Sequence, residues 1–341
     1  MSAQELKTEV LAYITRAAAD PAWGLAQREE LGMRIHAFQR AEIPDLDAFC
    51  AGAEPEHLVD VPSVPVGLFK EGLNFCIPAT GKASSRRVFR TSGTTQGRRG
   101  EHHMPDTQVY ERAARLWWQA CVPGCPERVV SLVPDPAQAP DSSLGHMVHD
   151  FGAVTLSYFD MEHGVDHDGA WQALLAVQQP VFVAATAFSM ASLLEQGPSL
   201  SLPKGSVCMV TGGFKGRRVS LSSKDLLEQI PERLGTPVVE EYGMSELSSQ
   251  LWGGPDFGGA GRFHAPPWMR VYTVDPATGA PCTGTGLLRF VDLANWASCL
   301  SIETQDLGEV DGQWVTLKGR LQASPHRGCS LSAEEAGQWR P

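Results

Sequence analysis

The sequence predicts an α/β protein in which a mainly parallel sheet with flanking helices leads into a β-rich subdomain. Three observations point there. Short apolar strands alternate with amphipathic helices from Val88 onward, the helical pattern fades after Tyr242 into a Gly- and Pro-rich stretch, and no internal repeat or low-complexity linker interrupts the chain. The first eighty or so residues read as an α-helical lead-in, because Leu6, Val10, Leu11 and Ile14, then Leu25, Leu31, Ile35 and Phe38, recur at helical spacing. The run P-S-V-P-V-G-L-F ends it. A strand-like Arg87 to Arg90 precedes a loop and a long helix over 107–120. Strands follow over 128–133, 153–159, 180–185 and 207–211, with further helices over 169–178 and 223–234. Strands at this spacing with helices between them imply parallel pairing. Beyond P-V-V-E-E, segments such as M-R-V-Y-T-V and G-L-L-R-F-V give short strands between tight turns. The expected division is a lead-in over 1–85, an α/β core over 86–250, a β-rich subdomain over 251–320 and a tail over 321–341.

With 341 residues and 43% hydrophobic content, the chain is long enough for a large core and more than one subdomain. A net charge of −11 argues against a nucleic-acid surface. No run of 18 apolar residues occurs and the first residues are polar and acidic, so neither a membrane span nor a signal peptide is expected, which points to the cytoplasm. The eight cysteines are dispersed and read as reduced thiols. Cys121 and Cys125 form a close pair that, with His102 and His103, suggests either a zinc site or simply a helix end and its turn.

Four segments carry chemistry. The loop T-S-G-T-T-Q-G-R-R-G spans Thr91 to Gly100. Glycines let such a backbone curl around phosphate oxygens, Ser92, Thr94 and Thr95 add hydroxyl donors, and Arg98 and Arg99 offer phosphate contacts. The alternative is a flexible surface loop. E-Y-G-M-S-E, Glu241 to Glu246, ends a strand at the edge where α/β sheets bind nucleotides, against the alternative of a Tyr-Gly turn and a solvated glutamate. Asp306 in T-Q-D-L-G-E can accept two vicinal hydroxyls or serve as a turn residue, and Arg320 lies beyond it in K-G-R. Cys329 opens a predicted helix, S-L-S-A-E-E-A, with His326 and Arg327 just upstream; all three features favour a thiolate.

The loop, the Tyr-Gly motif and the Asp…Gly-Arg motif, in this order, resemble the adenylate-forming (acyl-activating) superfamily, whose members join a carboxylic acid to AMP using ATP. R-G-C-S-L-S-A-E-E, Arg327 to Glu335, is similar to the acyl-protein synthetases of bacterial luminescence (LuxE type), and the likeness runs from about Thr91 to Glu335. The resemblance implies the large N-terminal domain of those enzymes. It implies nucleotide contacts by Thr91, Ser92, Gly93, Thr94, Thr95 and Gly97, and by Glu241, Tyr242 and Gly243, with Tyr242 stacked on adenine. Ser245 would sit beside the α-phosphate, Glu246 would hold Mg²⁺, and Asp306 with Arg320 would hold the ribose. The acyl pocket would involve D-S-S-L-G-H-M-V-H, A-T-A-F and T-G-G-F-K-G-R, placing His146, Met147, Phe188, Gly212, Gly213 and Met244 along it; His146 reads equally as a partial-core residue. Gln96 stands where the superfamily has glycine, Arg98 and Arg99 replace Pro and Lys, and Gln305 replaces Gly.

The implied reaction makes acyl-AMP from a carboxylic acid, ATP and Mg²⁺, then a thioester on Cys329, then an acylated partner, a reductase subunit or an acyl carrier protein. Full-length acyl-CoA ligases continue for about a hundred residues after the Gly-Arg motif. This chain stops 21 residues after Arg320, so that C-terminal domain is expected to be missing. Two other readings remain. One is a transferase moving an acyl group from a coenzyme A thioester to Cys329 without ATP; the other is an inactive binding protein of the same fold.

Overall fold

The computed structural model describes residues 1–78, 87–91, 98–212 and 222–321. Gly213 to Leu221, Ser92 to Gly97 and everything after Leu321 lie outside them. The chain forms two compact units: Met1–Tyr110, Ser245–Ser249 and Pro267–Pro341 make the first, Glu111–Met244 and Gln250–Pro266 the second.

The first unit begins with helices α1 (Ala3–Ala19), α2 (Pro21–Glu42) and α3 (Pro44–Cys50). Ser2 starts α1 through a capping box: its hydroxyl accepts from Glu5 N–H (3.3 Å), and the Glu5 carboxylate accepts from Ser2 N–H (2.7 Å). Asp20 caps α2, with Pro21 at the first helical position where its missing N–H costs nothing. Leu6, Val10, Ile14 and Ala17 of α1 and Ile35 of α2 are wholly buried. The two helices meet closely at Gly24, where a Cβ would lie 2.6 Å from Ala17 Cβ, and the Tyr13 hydroxyl donates to the Gly24 carbonyl at 2.8 Å. After Cys50, among the described residues before β2, regular structure is limited to strand β1 (Val64–Pro65) and two 3₁₀ turns, as the prolines there favour. Strands β2 (Arg87–Arg90) and β3 (Glu101–Met104) pair antiparallel. The loop between them is thus the end of a hairpin, and the helix expected over 107–120 follows beyond β3.

The second unit takes up most of helix α4 (Gln108–Cys121), then β4 (Arg128–Leu132), α5 (Ser143–Phe151), β5 (Val154–Ser157), the short hairpin β6 (Phe159–Asp160) and β7 (Gly164–Val165), and α6 (His167–Ala176). It continues through β8 (Val181–Thr186), α7 (Ala187–Glu195), β9 (Val207–Thr211), α8 (Ser223–Leu234), β10 (Val238–Tyr242), β11 (Leu251–Gly254) and β12 (Gly259–His264). The sheet runs β5-β4-β8-β9-β10-β11-β12. Its first five strands are parallel and the last two antiparallel. Every residue from Val181 to Ala185 is fully buried, as a parallel strand covered on both faces must be. Ser142, Asp166, Thr186 and Ser222 cap α5, α6, α7 and α8, so each helix starts where a short polar side chain can take an orphan N–H.

The chain returns to the first unit with β13 (Met269–Val274), β14 (Pro281–Cys282), β15 (Gly286–Asp292), β16 (Ser301–Asp311) and β17 (Trp314–Arg320). These form an antiparallel sheet in the order β14-β13-β15-β16-β17, onto which β1 adds in parallel against β16. Gln39 of α2, wholly buried, ties the helices to the turn after β15: its Nε2 donates to Asn295 O (2.7 Å) and its Oε1 accepts from Leu300 N–H (3.1 Å). No helix among the described residues is long and apolar enough to cross a membrane.

Candidate functional site

The Gly/Thr/Ser-rich segment leaves β2 at Thr91 and rejoins the hairpin at Gly100. Its base is closed by Thr91 N–H donating to Gly100 O (3.0 Å) and Gly100 N–H donating to Thr91 Oγ1 (2.9 Å). Arg99 folds onto this base, donating from Nε to Thr91 O (2.7 Å) and from Nη2 to Arg90 O (3.2 Å). Arg98 and Arg99 also line an open cleft of about 280 Å³ with Phe69, Asn74, Glu101 and His103. The loop's tip, Ser92 to Gly97, lies outside the described residues.

Two residues past the loop's stem, His102 reaches Ser245. Its Nδ1 is 2.7 Å from Ser245 O and its Nε2 2.7 Å from Ser298 Oγ, and it is 1% exposed. Burial lowers its pKa to about 4, so the ring is neutral. A carbonyl only accepts, so Nδ1 carries the proton and Nε2 accepts from the Ser298 hydroxyl. The residues after Ser245 are pinned as well. Asn295 Nδ2 donates to Glu246 O (2.9 Å), and Asp292 accepts from Ser248 N–H (3.0 Å) and from the Ser249 hydroxyl (2.7 Å). Trp268 Nε1 donates to Ser249 Oγ (2.9 Å). Asp292 is fully buried, and burial pushes its carboxyl up to about 6 even with these donors.

Glu246 is 5% exposed. Among the described residues no group of three or more His, Cys, Asp or Glu side chains could hold a metal ion. A single hard carboxylate fits a Mg²⁺ that takes its other ligands from phosphate and water, and does not fit zinc. The zinc alternative fails on particulars too. Both nitrogens of His102 are engaged, burial raises the Cys121 pKa, and Cys125 Sγ donates to Val122 O (3.2 Å) from a left-handed turn at φ 38°. The cysteine pair is a helix end and its turn.

In the second unit, Glu241 stands beside Thr211 on β9 and opposite Trp252 on β11. It is 6% exposed, its Oε2 accepts from the Thr211 hydroxyl, and burial pushes its carboxyl up to about 7. A Cβ on Gly243 would fall 2.5 Å from Glu241 Oε1, so a side chain there would push the Glu241 carboxylate aside. Glu240, the preceding residue, accepts from Gly261 N–H at 2.9 Å. The Tyr242 ring is half-buried and 5.8 Å from that of Phe263, tilted by 53°. Gly212 follows β9 in the left-handed region at φ 67°, where a side chain would be strained. On α5, His146 Nε2 pairs with Glu111 Oε1 at 2.9 Å, while its neighbour Met147 is buried. Phe188, at the start of α7, is exposed, and Met244 is half-buried.

Asp306 and Arg320 face each other across β16 and β17, with Arg320 Nε 3.7 Å from Asp306 Oδ1. The Asp306 N–H donates to Thr304 Oγ1 at 3.1 Å, which fixes the strand at that point. Gly213, His326 and Cys329 lie outside the described residues. The sequence offers His102 only as a zinc ligand and Thr211 only as the first residue of T-G-G-F-K-G-R, and it gives no sign of Asp292, Asn295 or Gln250. His102's place directly after the loop was the one available signal.

The sequence matches no protein-family model and no curated protein. The structure does match solved ones. ATP-bound MatB from Rhodopseudomonas palustris superposes with a TM-score of 0.52 at 18% identity, over 73% of this chain and 51% of that one. The ATP-bound chimera RpMatB-BxBclM B3 gives the same TM-score and coverage at 17% identity. The mixed α/β fold is therefore that of the large domain of adenylate-forming enzymes. The chain spans about half the length of the structures it matches.

Proposed function

We propose that the chain activates a carboxylic acid as acyl-AMP with ATP, takes the acyl group as a thioester on Cys329 and passes it to a partner protein, a reductase subunit or an acyl carrier protein. The chief support is a fold shared with ATP-bound structures, in a chain that ends a parallel strand of that fold on Tyr242-Gly243. Tyr242 stacks on adenine, Asp306 accepts from the ribose hydroxyls beside Arg320, and the loop from Thr91 to Gly100 cradles phosphates with Arg99 bracing its stem. Ser245 lies at the α-phosphate. Glu246 is the carboxylate for a Mg²⁺ that screens phosphate charge when bound.

The substrate carboxylate attacks the α-phosphorus, the bond to the bridging oxygen of the β-phosphate breaks, and pyrophosphate leaves. The Cys329 thiolate, favoured by His326 and Arg327 just upstream in sequence, then adds to the acyl carbonyl carbon. The C–O bond to AMP breaks, AMP leaves with the electron pair, and the thioester remains.

ATP–pyrophosphate exchange with a panel of acids, followed by mass spectrometry, tests both stages. Exchange should occur in the wild type and weaken in Asp306→Ala by about 1 to 3 kcal/mol of nucleotide binding, since two ribose hydroxyls lose their acceptor. Cys329→Ser should keep exchange but lose a single hydroxylamine-labile acyl adduct. Labelling of Cys329 by an acyl-coenzyme A thioester without any exchange would replace this reading with the transferase. An adduct on another cysteine, with Cys329→Ser fully active, would end the role of Cys329.

A further inference from the structure

Glu241 and Gln250 share one face at the carboxyl end of the second unit's sheet. Register pairs Glu241 with Trp252 and Tyr242 with Leu251, so the next positions, Gly243 and Gln250, meet on the face that Glu241 occupies. The same point in space shows it directly. A Cβ on Gly243 would sit 2.5 Å from Glu241 Oε1 and 3.6 Å from Gln250 Cγ.

The Glu241 and Gln250 side chains are buried here while Gly243 is exposed, and their polar groups are under-used. Among the described residues the carboxylate of Glu241 has one hydrogen bond, from Thr211 to Oε2, which leaves Oε1. Gln250 is 4% exposed, and its Oε1 is buried without a partner. The indole Nε1 of Trp252, opposite Glu241 and 1% exposed, is also buried without one. The Trp252 ring lies 6.0 Å from that of Phe151, which gives the corner an aromatic flank. Native proteins rarely leave buried polar atoms unpaired, and two at one corner, beside a carboxylate oxygen that takes no hydrogen bond, call for a common partner.

We propose that this corner recognises a hydroxyl or amino substituent on the acid, with Glu241 and Gln250 as its acceptors; the inference rests on the reading that the chain takes a carboxylic acid. Two acceptors need a donor, and the adjacent indole N–H needs an acceptor. A hydroxyl supplies both, an amine supplies the donor, and a plain alkyl or aryl chain supplies neither. An unsubstituted acid would leave all three groups unpaired, so discrimination comes from rejecting it as much as from holding the substituted one. Gly243 belongs to the device, because any side chain there would occupy the space between the two acceptors.

Binding of free acids, followed by quenching of intrinsic tryptophan fluorescence, tests this without depending on ATP. Hydroxy- and aminobenzoates would be compared with benzoate, and hydroxyoctanoates with octanoate. At least one substituted acid should bind about tenfold or more tighter than its parent. Glu241→Leu and Gln250→Leu should each abolish that preference, and Glu241→Gln, which keeps an acceptor, should retain part of it. Equal affinity for substituted and parent acids, a preference that survives both leucine variants, or no binding of any acid overturns the proposal. Selective binding in a protein without ATP–pyrophosphate exchange would uphold this corner and count against the adenylation step alone.

Discussion

A buried carboxyl leaves a signature in stability. Glu241 has its pKa raised from an ordinary 4.5 to about 7 by burial, so the folded protein holds that proton more tightly than the unfolded chain. Its stabilising contribution is complete below about pH 4.5 and is lost as pH rises through 7. His102 works in the opposite sense. With its pKa lowered from 6.5 to about 4, its contribution is present above 6.5 and is lost as pH falls toward 4. Replacing Glu241 with Gln isolates the first effect. Relative to that variant, the wild type should lose about 3 kcal/mol of unfolding free energy between pH 4.5 and 8, read by urea titration. A flat difference would show that Glu241 ionises freely.

At the scale of elements, Gly24 decides between two opposed effects. Alanine is better than glycine inside a helix by about 1 kcal/mol, but a Cβ here would press on Ala17 of α1 and stand 3.2 Å from Pro267 Cβ. Overpacking of this kind costs about 1 to 3 kcal/mol, so Gly24→Ala should be net destabilising in urea unfolding, and a stabilised variant would mean that α1 gives way easily. The parallel strands were legible because continuous apolar runs such as Val181–Ala185 have few other uses. Hairpin strand β3 was not, since Glu-His-His-Met carries no strand pattern and finds β2 only across the loop. The site divides the same way. Tyr242, Ser245, Glu246, Asp306 and Arg320 sit in short motifs that can be read locally. Their supports, His102, Asp292 and Asn295, act on residues far away in sequence, and packing alone brings them there.

For the whole molecule, the division into units is itself testable. The second unit occupies one nearly continuous stretch of chain and has a buried cluster of its own, including Val130, Val183, Leu193, Cys208 and Ile230. A fragment of residues 107–266 should therefore unfold cooperatively in denaturant, as a domain with its own core does. A broad, non-cooperative transition would show that its core depends on the rest of the chain. The first unit has no such continuous fragment, because its helices and its antiparallel sheet come from opposite ends of the sequence.

That interleaving sets the order in which the protein can assemble on the ribosome. Helices α1 to α3 emerge first, yet the turn that receives Gln39 and the sheet that completes their unit are encoded last. At ordinary elongation rates of about 5 to 20 residues per second, the intervening stretch takes on the order of ten seconds or more to synthesise. Throughout that interval Leu6, Val10, Ile14 and Ile35 form an apolar stripe without its final cover, while the chain behind them is already able to collapse. The helices of the first unit thus wait for their cover until β13 to β17 have been made, and over that time their apolar stripe stays open to aggregation.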